Sequence, residues 1–184
     1  MSRLNIPSSI ESSPAASRAQ LGAVARSLGS VPNLFRLVAN SPAALKGYLA
    51  LSGAVASSTL DAQMQERIAL VVAEHNGCDY CLSAHTYLGR NVARLDDAEI
   101  TANRNGSSND IRAAAAVRFA AQVVRSRGHV ADADLQAVKA AGYADAEIVE
   151  IVLSVALNTF TNYVNEVART EIDFPVVHST RAAA

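Results

Sequence analysis

The chain has 184 residues, 50% of them hydrophobic, with a mean hydropathy near zero, which is enough for one domain with a sizeable core and too little for two independent ones. Sixteen basic residues against seventeen acidic ones leave a net charge of -1, so no global field draws the protein to nucleic acid or to an acidic membrane surface. The most apolar segment, Ile148 to Leu157, is interrupted by Glu150 and has about half the length of a bilayer-spanning helix, which excludes a membrane span there.

The first twenty residues hold Pro7, Pro14 and six serines rather than the apolar run of a secretory leader, and the expected compartment is the cytoplasm. Aromatic residues are scarce at 5% and no stretch alternates with period two, so the expected fold class is all-α. Residues 1–17 read as an extended N-terminal arm, 18–170 as a single helical domain and 171–184 as a tail. A first helix is expected over about Ala15 to Leu28, closed by Gly29, and a short one from Val31-Pro32-Asn33. Ser41-Pro42 is an N-cap followed by proline at the first helical position, opening a helix that turns Leu45, Tyr48 and Leu49 to a core.

Asp61 begins the next helix, about Ala62 to Glu74; Asn76-Gly77 breaks it, and a further helix from Cys78 to about Gly89 completes a hairpin. Asp96 caps a short helix, Asn103 to Asn109 reads as a loop, and Asp110 to Arg127 forms a long alanine-rich helix. Ala131 to Ala140 and Asp145 to Ala168 complete a bundle, with Gly142 between them. Asp61-Ala-Gln-Met-Gln-Glu66 also aligns with Asp145-Ala-Glu-Ile-Val-Glu150 at an offset of 84. A duplicated helix hairpin is therefore expected, its second copy placing Asn162 and Asn165 where the first has Cys78 and Cys81.

The chemistry concentrates in Cys78-x-x-Cys81-x-x-x-His85. Along a helix these three side chains fall within an arc of about 60°, so they can meet. Cys78 stands at a helix start, where free amides and the positive end of the macrodipole favour a thiolate, and His85 is one turn from Cys81, placed to take its proton. Folding the hairpin brings Glu66 to nearly the height of His85, while Glu74 lies nearer the cysteines; helix geometry leaves both open as the partner carboxylate. Two cysteines and a histidine on one face are also compatible with a plain buried core, or with zinc, although a zinc site commonly brings a second ligand pair from another turn. His75, His129 and His178 read as surface residues, and Tyr80, Tyr87, Tyr143 and Tyr163 as core or rim, only Tyr80 standing between the cysteines.

The segment Glu66-Arg-Ile-Ala-Leu-Val-Val-Ala-Glu-His-Asn-Gly-Cys78-Asp-Tyr-Cys81-Leu-Ser-Ala-His85 resembles the signature of the AhpD-like (carboxymuconolactone decarboxylase) superfamily. Upstream, Val31-Pro-Asn-Leu-Phe-Arg-Leu-Val-Ala-Asn-Ser-Pro42 is similar to its peroxidase-related alkylhydroperoxidase branch, so the resemblance runs from about residue 30 to 170. It implies a helical bundle with the cysteine pair at the start of a core helix, Cys81 attacking peroxide, Cys78 resolving the sulfenic acid, and Glu66 rather than Glu74 behind His85. Tyr80 stands where alkylhydroperoxidase D proper has a relay histidine. Tyr80 and Glu74 are carried forward as candidate substrate-binding residues. No metal or resident cofactor is implied; the expected partners are a peroxide substrate and an external dithiol, such as a lipoyl group, within a homo-oligomer, a trimer or hexamer. The competing readings are a redox sensor or disulfide-exchange adaptor and, against the presence of the cysteine pair, a lactone-acid decarboxylase.

Overall fold

The structure, a computed structural model, describes residues 2–180. The described residues are all-α, without a strand. In chain order the helices are α1 Ala15–Leu28, α2 Asn33–Val38, α3 Pro42–Ala56, α4 Ala62–Asn76, α5 Asp79–Asn91, α6 Asp97–Arg104, α7 Ile111–Ser126, α8 Asp132–Ala140 and α9 Asp145–Ala168. Capping explains where they start: Asp61, Asp96 and Asp110 each accept at 2.7 Å from the amide three residues on, at Met64, Glu99 and Ala113. Gly77 ends α4 in the left-handed region at φ 68°, where a side chain is strained and glycine is not.

Helix α4 is the axis of the bundle and packs against α5, α6, α7 and α9. Every residue from Ile68 to Glu74 is buried, so the helix has no solvent face over two turns. On one side Ile68, Val71 and Val72 meet Val117, Ala120 and Ile151 of α7 and α9. On the other, Leu70 joins Leu21, Leu34, Leu45 and Leu82 in a second core that also contains Cys78 and Cys81. Each fully buried leucine or isoleucine stabilises this arrangement by about 2 kcal/mol relative to exposure. The cysteines therefore sit inside the fold, next to its central helix. No described helix is long and apolar enough to cross a membrane.

The segment after α9 returns across the start of α5. Ile172, Phe174 and Val177 pack on the second core, and the Val177 amide donates to Ser83 Oγ at 2.9 Å. Asp79 holds His178 Nδ1 at 2.6 Å and the Ser179 amide at 2.8 Å. His178 is exposed, as expected, but it is paired.

Two expectations need correction. Asn103 belongs to α6 and not to a loop; fully buried, it donates to Glu99 Oε1 and to the Ser107 carbonyl, both at 2.9 Å. The second hairpin also fails to form, because α9 runs unbroken through Thr161, the position that corresponds to Gly77 at an offset of 84. Without a glycine in the left-handed conformation the helix simply continues, and the likeness between the two segments is that of two amphipathic helix starts.

Glu99 ties α4, α6 and the loop before α7 together. Its carboxylate accepts from Arg67 Nε at 2.7 Å and the Asn109 amide at 2.7 Å, and from the Ser108 hydroxyl. Burial alone would raise this carboxyl, but those donors and Asn103 outweigh it and hold it down at about 2. The folded-state value lies below the ordinary 4.5, so the contribution is complete above that pH and is lost as pH falls towards 2. Acid unfolding of Glu99→Gln should be flatter across that window than that of the unaltered protein. At neutral pH the variant should be less stable by on the order of 3 kcal/mol, since Arg67 loses its charged partner. Chemical denaturation at a series of pH values measures both; an unchanged profile would remove Glu99 as the acid-sensitive clasp.

Candidate active site

Cys78 is the N-cap of α5, and its sulfur accepts from the Cys81 amide at 3.5 Å. Sulfur here replaces the oxygen of the aspartate caps elsewhere in the chain, so the first turn of α5 is wrapped around the Cys78 side chain. Cys78 and Cys81 are 0% and 2% exposed, and both are free thiols.

The two thiols are not equivalent. Burial opposes ionisation of Cys81, but the hydrogen bond from Cys78, the positive charge of His85 and the amides of Asn165 and Asn162 outweigh it and bring its pKa down to about 7. Cys78 is pushed strongly upward, first because its proton is held in the bond to Cys81 and then by burial. The helix start thus does not make Cys78 the acidic thiol, contrary to the expectation from its position. It is the donor, and Cys81 is the more readily ionised of the two.

His85 and Glu66 are brought together from α5 and α4. His85 Nδ1 lies 2.9 Å from Glu66 Oε2, with both side chains about one-fifth exposed. Burial disfavours the imidazolium, but the charge and hydrogen bond of Glu66, with Cys81, reverse this and raise the His85 pKa. A thiolate at Cys81 facing an imidazolium at His85, itself held by a carboxylate, is the charge arrangement these groups support at neutral pH.

Glu74 and Tyr80 are not free to bind a substrate. Glu74 is 3% exposed; its Oε2 accepts from Arg104 Nε at 2.8 Å, and its Oε1 from the amide and hydroxyl of Thr180 at 2.7 and 2.6 Å. Both oxygens are used in clasping the C-terminal segment to α4 and α6. Tyr80 is buried with its hydroxyl accepting from the Leu34 amide at 3.1 Å and its ring edge-on to Phe174. Its burial drives the phenol well above its ordinary pKa, and position 80 joins α5 to α2.

The remaining wall comes from α9, which the sequence reading left out. Ser154, Asn158, Thr161, Asn162 and Asn165 are all buried along one face of this otherwise apolar helix. Asn165 Nδ2 donates to Cys81 Sγ at 3.2 Å, and Thr161 Oγ1 is 3.9 Å from the same sulfur. Asn76 Nδ2 donates to Asn162 Oδ1 at 2.8 Å. The available signal was the spacing itself, since polar residues at helical intervals on the core side of an apolar helix must find buried partners. Tyr48 of α3, whose phenol is raised by burial and by the nearby Cys81 charge, stands between Phe35 at 5.3 Å and Phe160 at 6.1 Å. Glu166, near Cys78 and Asp79, has a carboxyl raised by partial desolvation, with Cys78 opposing and Asp79 adding to the shift. Among the described residues no three His, Cys, Asp or Glu side chains are grouped to hold a metal ion.

Residues 42–126 match the model of the Carboxymuconolactone decarboxylase family. No curated protein sequence matches the chain. Among solved structures, it is similar to a peroxidase-related protein of Silicibacter sp. TM1040, at 24% identity over 92% of this chain and 91% of that one, with a TM-score of 0.79. It is similar to the alkylhydroperoxidase AhpD core, a peroxidase-related protein of Ralstonia eutropha JMP134, at 23% identity, 94% and 92% coverage and a TM-score of 0.82. The debrominase Bmp8, solved with 2,3,4-tribromopyrrole, shares the fold at 17% identity, 86% coverage of both chains and a TM-score of 0.74.

Proposed function

We propose that this chain, whose residues 42–126 match the model of the Carboxymuconolactone decarboxylase family and whose fold is AhpD-like, is a thiol-dependent peroxidase working through Cys81 and Cys78. The observation that carries this reading is the inequality of the paired thiols. Cys81 is held near 7 beside the His85–Glu66 pair, while Cys78 keeps its proton. A peroxidase of this kind needs one thiolate to attack and a second cysteine, still reduced, to resolve.

The Cys81 proton passes to His85, whose imidazolium Glu66 stabilises. The thiolate attacks the terminal peroxide oxygen; the S–O bond forms as the O–O bond breaks, and the departing oxygen takes the electron pair and a proton from His85. The Cys78 thiol then attacks the sulfenic sulfur and water leaves, giving the disulfide. An external dithiol, a lipoyl group by the family resemblance, exchanges with that disulfide and restores both thiols. The chemistry calls for no metal, flavin or haem. The outer side of α9, with Val149, Val152, Tyr163 and Val167 exposed, supports a homo-oligomer, for which the family resemblance implies a trimer or hexamer; a cytoplasmic setting would supply the reductant.

Peroxide consumption measured with dithiol in excess tests the proposal. The protein should turn over steadily, and His85→Ala or Glu66→Gln should slow the reaction about 10²-fold while leaving the fold intact. The burial of both sulfurs favours a second reading, a redox sensor or disulfide-exchange adaptor that oxidises once and waits for a partner. A single stoichiometric oxidation with no further consumption would select it.

A further inference from the structure

Two amides of α9 converge on Cys81, and they are in different states. Asn165 is 1% exposed and its Nδ2 already donates to the Cys81 sulfur at 3.2 Å. Asn162 is fully buried, and its Nδ2 has no hydrogen-bond partner even though the same amide acts on the charge of Cys81. Its orientation is set from the other end, because Asn162 Oδ1 accepts from Asn76 Nδ2 at 2.8 Å. That leaves a fixed, dry N–H donor beside a nucleophilic sulfur. Buried donors almost always have partners, so this one is held for an acceptor that arrives with the chemistry. The other groups around the sulfur are otherwise engaged: His85 with Glu66, Thr161 with the Asn158 carbonyl, Cys78 with Cys81 itself, and Tyr48 within its aromatic stack.

We infer that the side-chain amides of Asn162 and Asn165 form the anion cradle of Cys81, with Asn165 holding the thiolate sulfur and Asn162 holding the oxygen that this sulfur acquires. The inference rests on the peroxidase reading and adds its oxyanion site. When the thiolate attacks, its sulfur is oxidised and the O–O bond is reduced. The departing oxygen leaves with the electron pair and the proton from His85; the neutral imidazole then takes the proton of the transferred oxygen, which as sulfenate carries negative charge at a point with a neutral amide donor ready for it, and returns that proton when Cys78 expels the oxygen as water. Amide donors suit this task because they cannot be deprotonated by the thiolate or oxidised by the peroxide.

The test uses the full chain carrying Cys78→Ser, which keeps a hydrogen-bond donor at the cap and stops resolution of the sulfenic acid. Two readouts are taken: the pH dependence of Cys81 alkylation by iodoacetamide, and the rate at which excess hydrogen peroxide produces sulfenic acid, trapped by a dimedone-type probe. Asn165→Leu should raise the alkylation midpoint by about one pH unit, a tenfold loss of thiolate below the midpoint. Asn162→Leu should move the midpoint less, but should slow sulfenic acid formation per thiolate by about tenfold. Should either leucine variant lose its helical circular dichroism, Asn165→Ala and Asn162→Ala, which also lack the donor, take its place. An unmoved midpoint without the Asn165 amide, or an unchanged oxidation rate per thiolate without the Asn162 amide, overturns the cradle. Both readouts are stoichiometric. A chain that fails to turn over peroxide with dithiol would therefore sink the peroxidase reading and leave the cradle result standing.

Discussion

Cys81→Ser should abolish peroxide turnover, leaving consumption at the level of buffer and dithiol alone. The donors that bring Cys81 to about 7, namely Cys78, His85, Asn165 and Asn162, cannot bring an alcohol near neutrality, so no anion would stand at position 81. Cys78 cannot substitute, because losing the Cys81 thiolate leaves its thiol buried, with no imidazole one helical turn away. The fold should survive, since a serine hydroxyl can still accept from Asn165 at that place, and stability should change by no more than about 1 kcal/mol. Retention of even a tenth of the unaltered rate would show that the attack occurs elsewhere.

Cys78→Ser should behave in a different way: one equivalent of peroxide consumed at close to the normal first-turnover rate, then arrest. The hydroxyl of serine keeps the donor that Cys78 gives to Cys81, so the nucleophile is preserved. What is lost is the second sulfur, without which the Cys81 sulfenic acid has no internal partner. Burst analysis with limiting peroxide, followed by added dithiol, separates the phases. Continued steady turnover at the unaltered rate would mean that the external dithiol reaches Cys81 directly and that Cys78 is a capping residue only.

Much of this arrangement is legible in the sequence because it is local. Aspartates at 61, 96 and 110 announce helix starts through a side chain that bonds three residues on, and each helix begins there. Two helices and one turn bring Glu66 to the height of His85, a calculation in rise per residue that leaves Glu74 open as well; the family resemblance is what singles out Glu66. What escapes the sequence is tertiary choice among equivalent local options. Cys78 has the helix terminus, and the terminus alone points to it as the acidic thiol; the donors that favour Cys81 instead include two residues of α9, more than eighty positions away. Glu74 is near the cysteines along the chain, yet Arg104 and Thr180 capture both of its oxygens. The segment from 171 to 180 has no periodicity to read, since it is held by side-chain hydrogen bonds to Ser83, Asp79 and Glu74 and by Ile172, Phe174 and Val177 packed on the second core. Asn165, which the offset of 84 made the repeat-equivalent of Cys81, instead faces it within one site.

The central claim is that Cys81 takes the oxygen and Cys78 resolves it. Peptide mapping by mass spectrometry, after one equivalent of peroxide in the presence of a dimedone-type probe, tests it in the two serine variants side by side. The account predicts an adduct on Cys81 in the Cys78→Ser protein and none on Cys78 in the Cys81→Ser protein. An adduct on Cys78 in the Cys81→Ser protein, formed at the full first-turnover rate, would reverse the two roles and remove His85 as the group that activates the nucleophile.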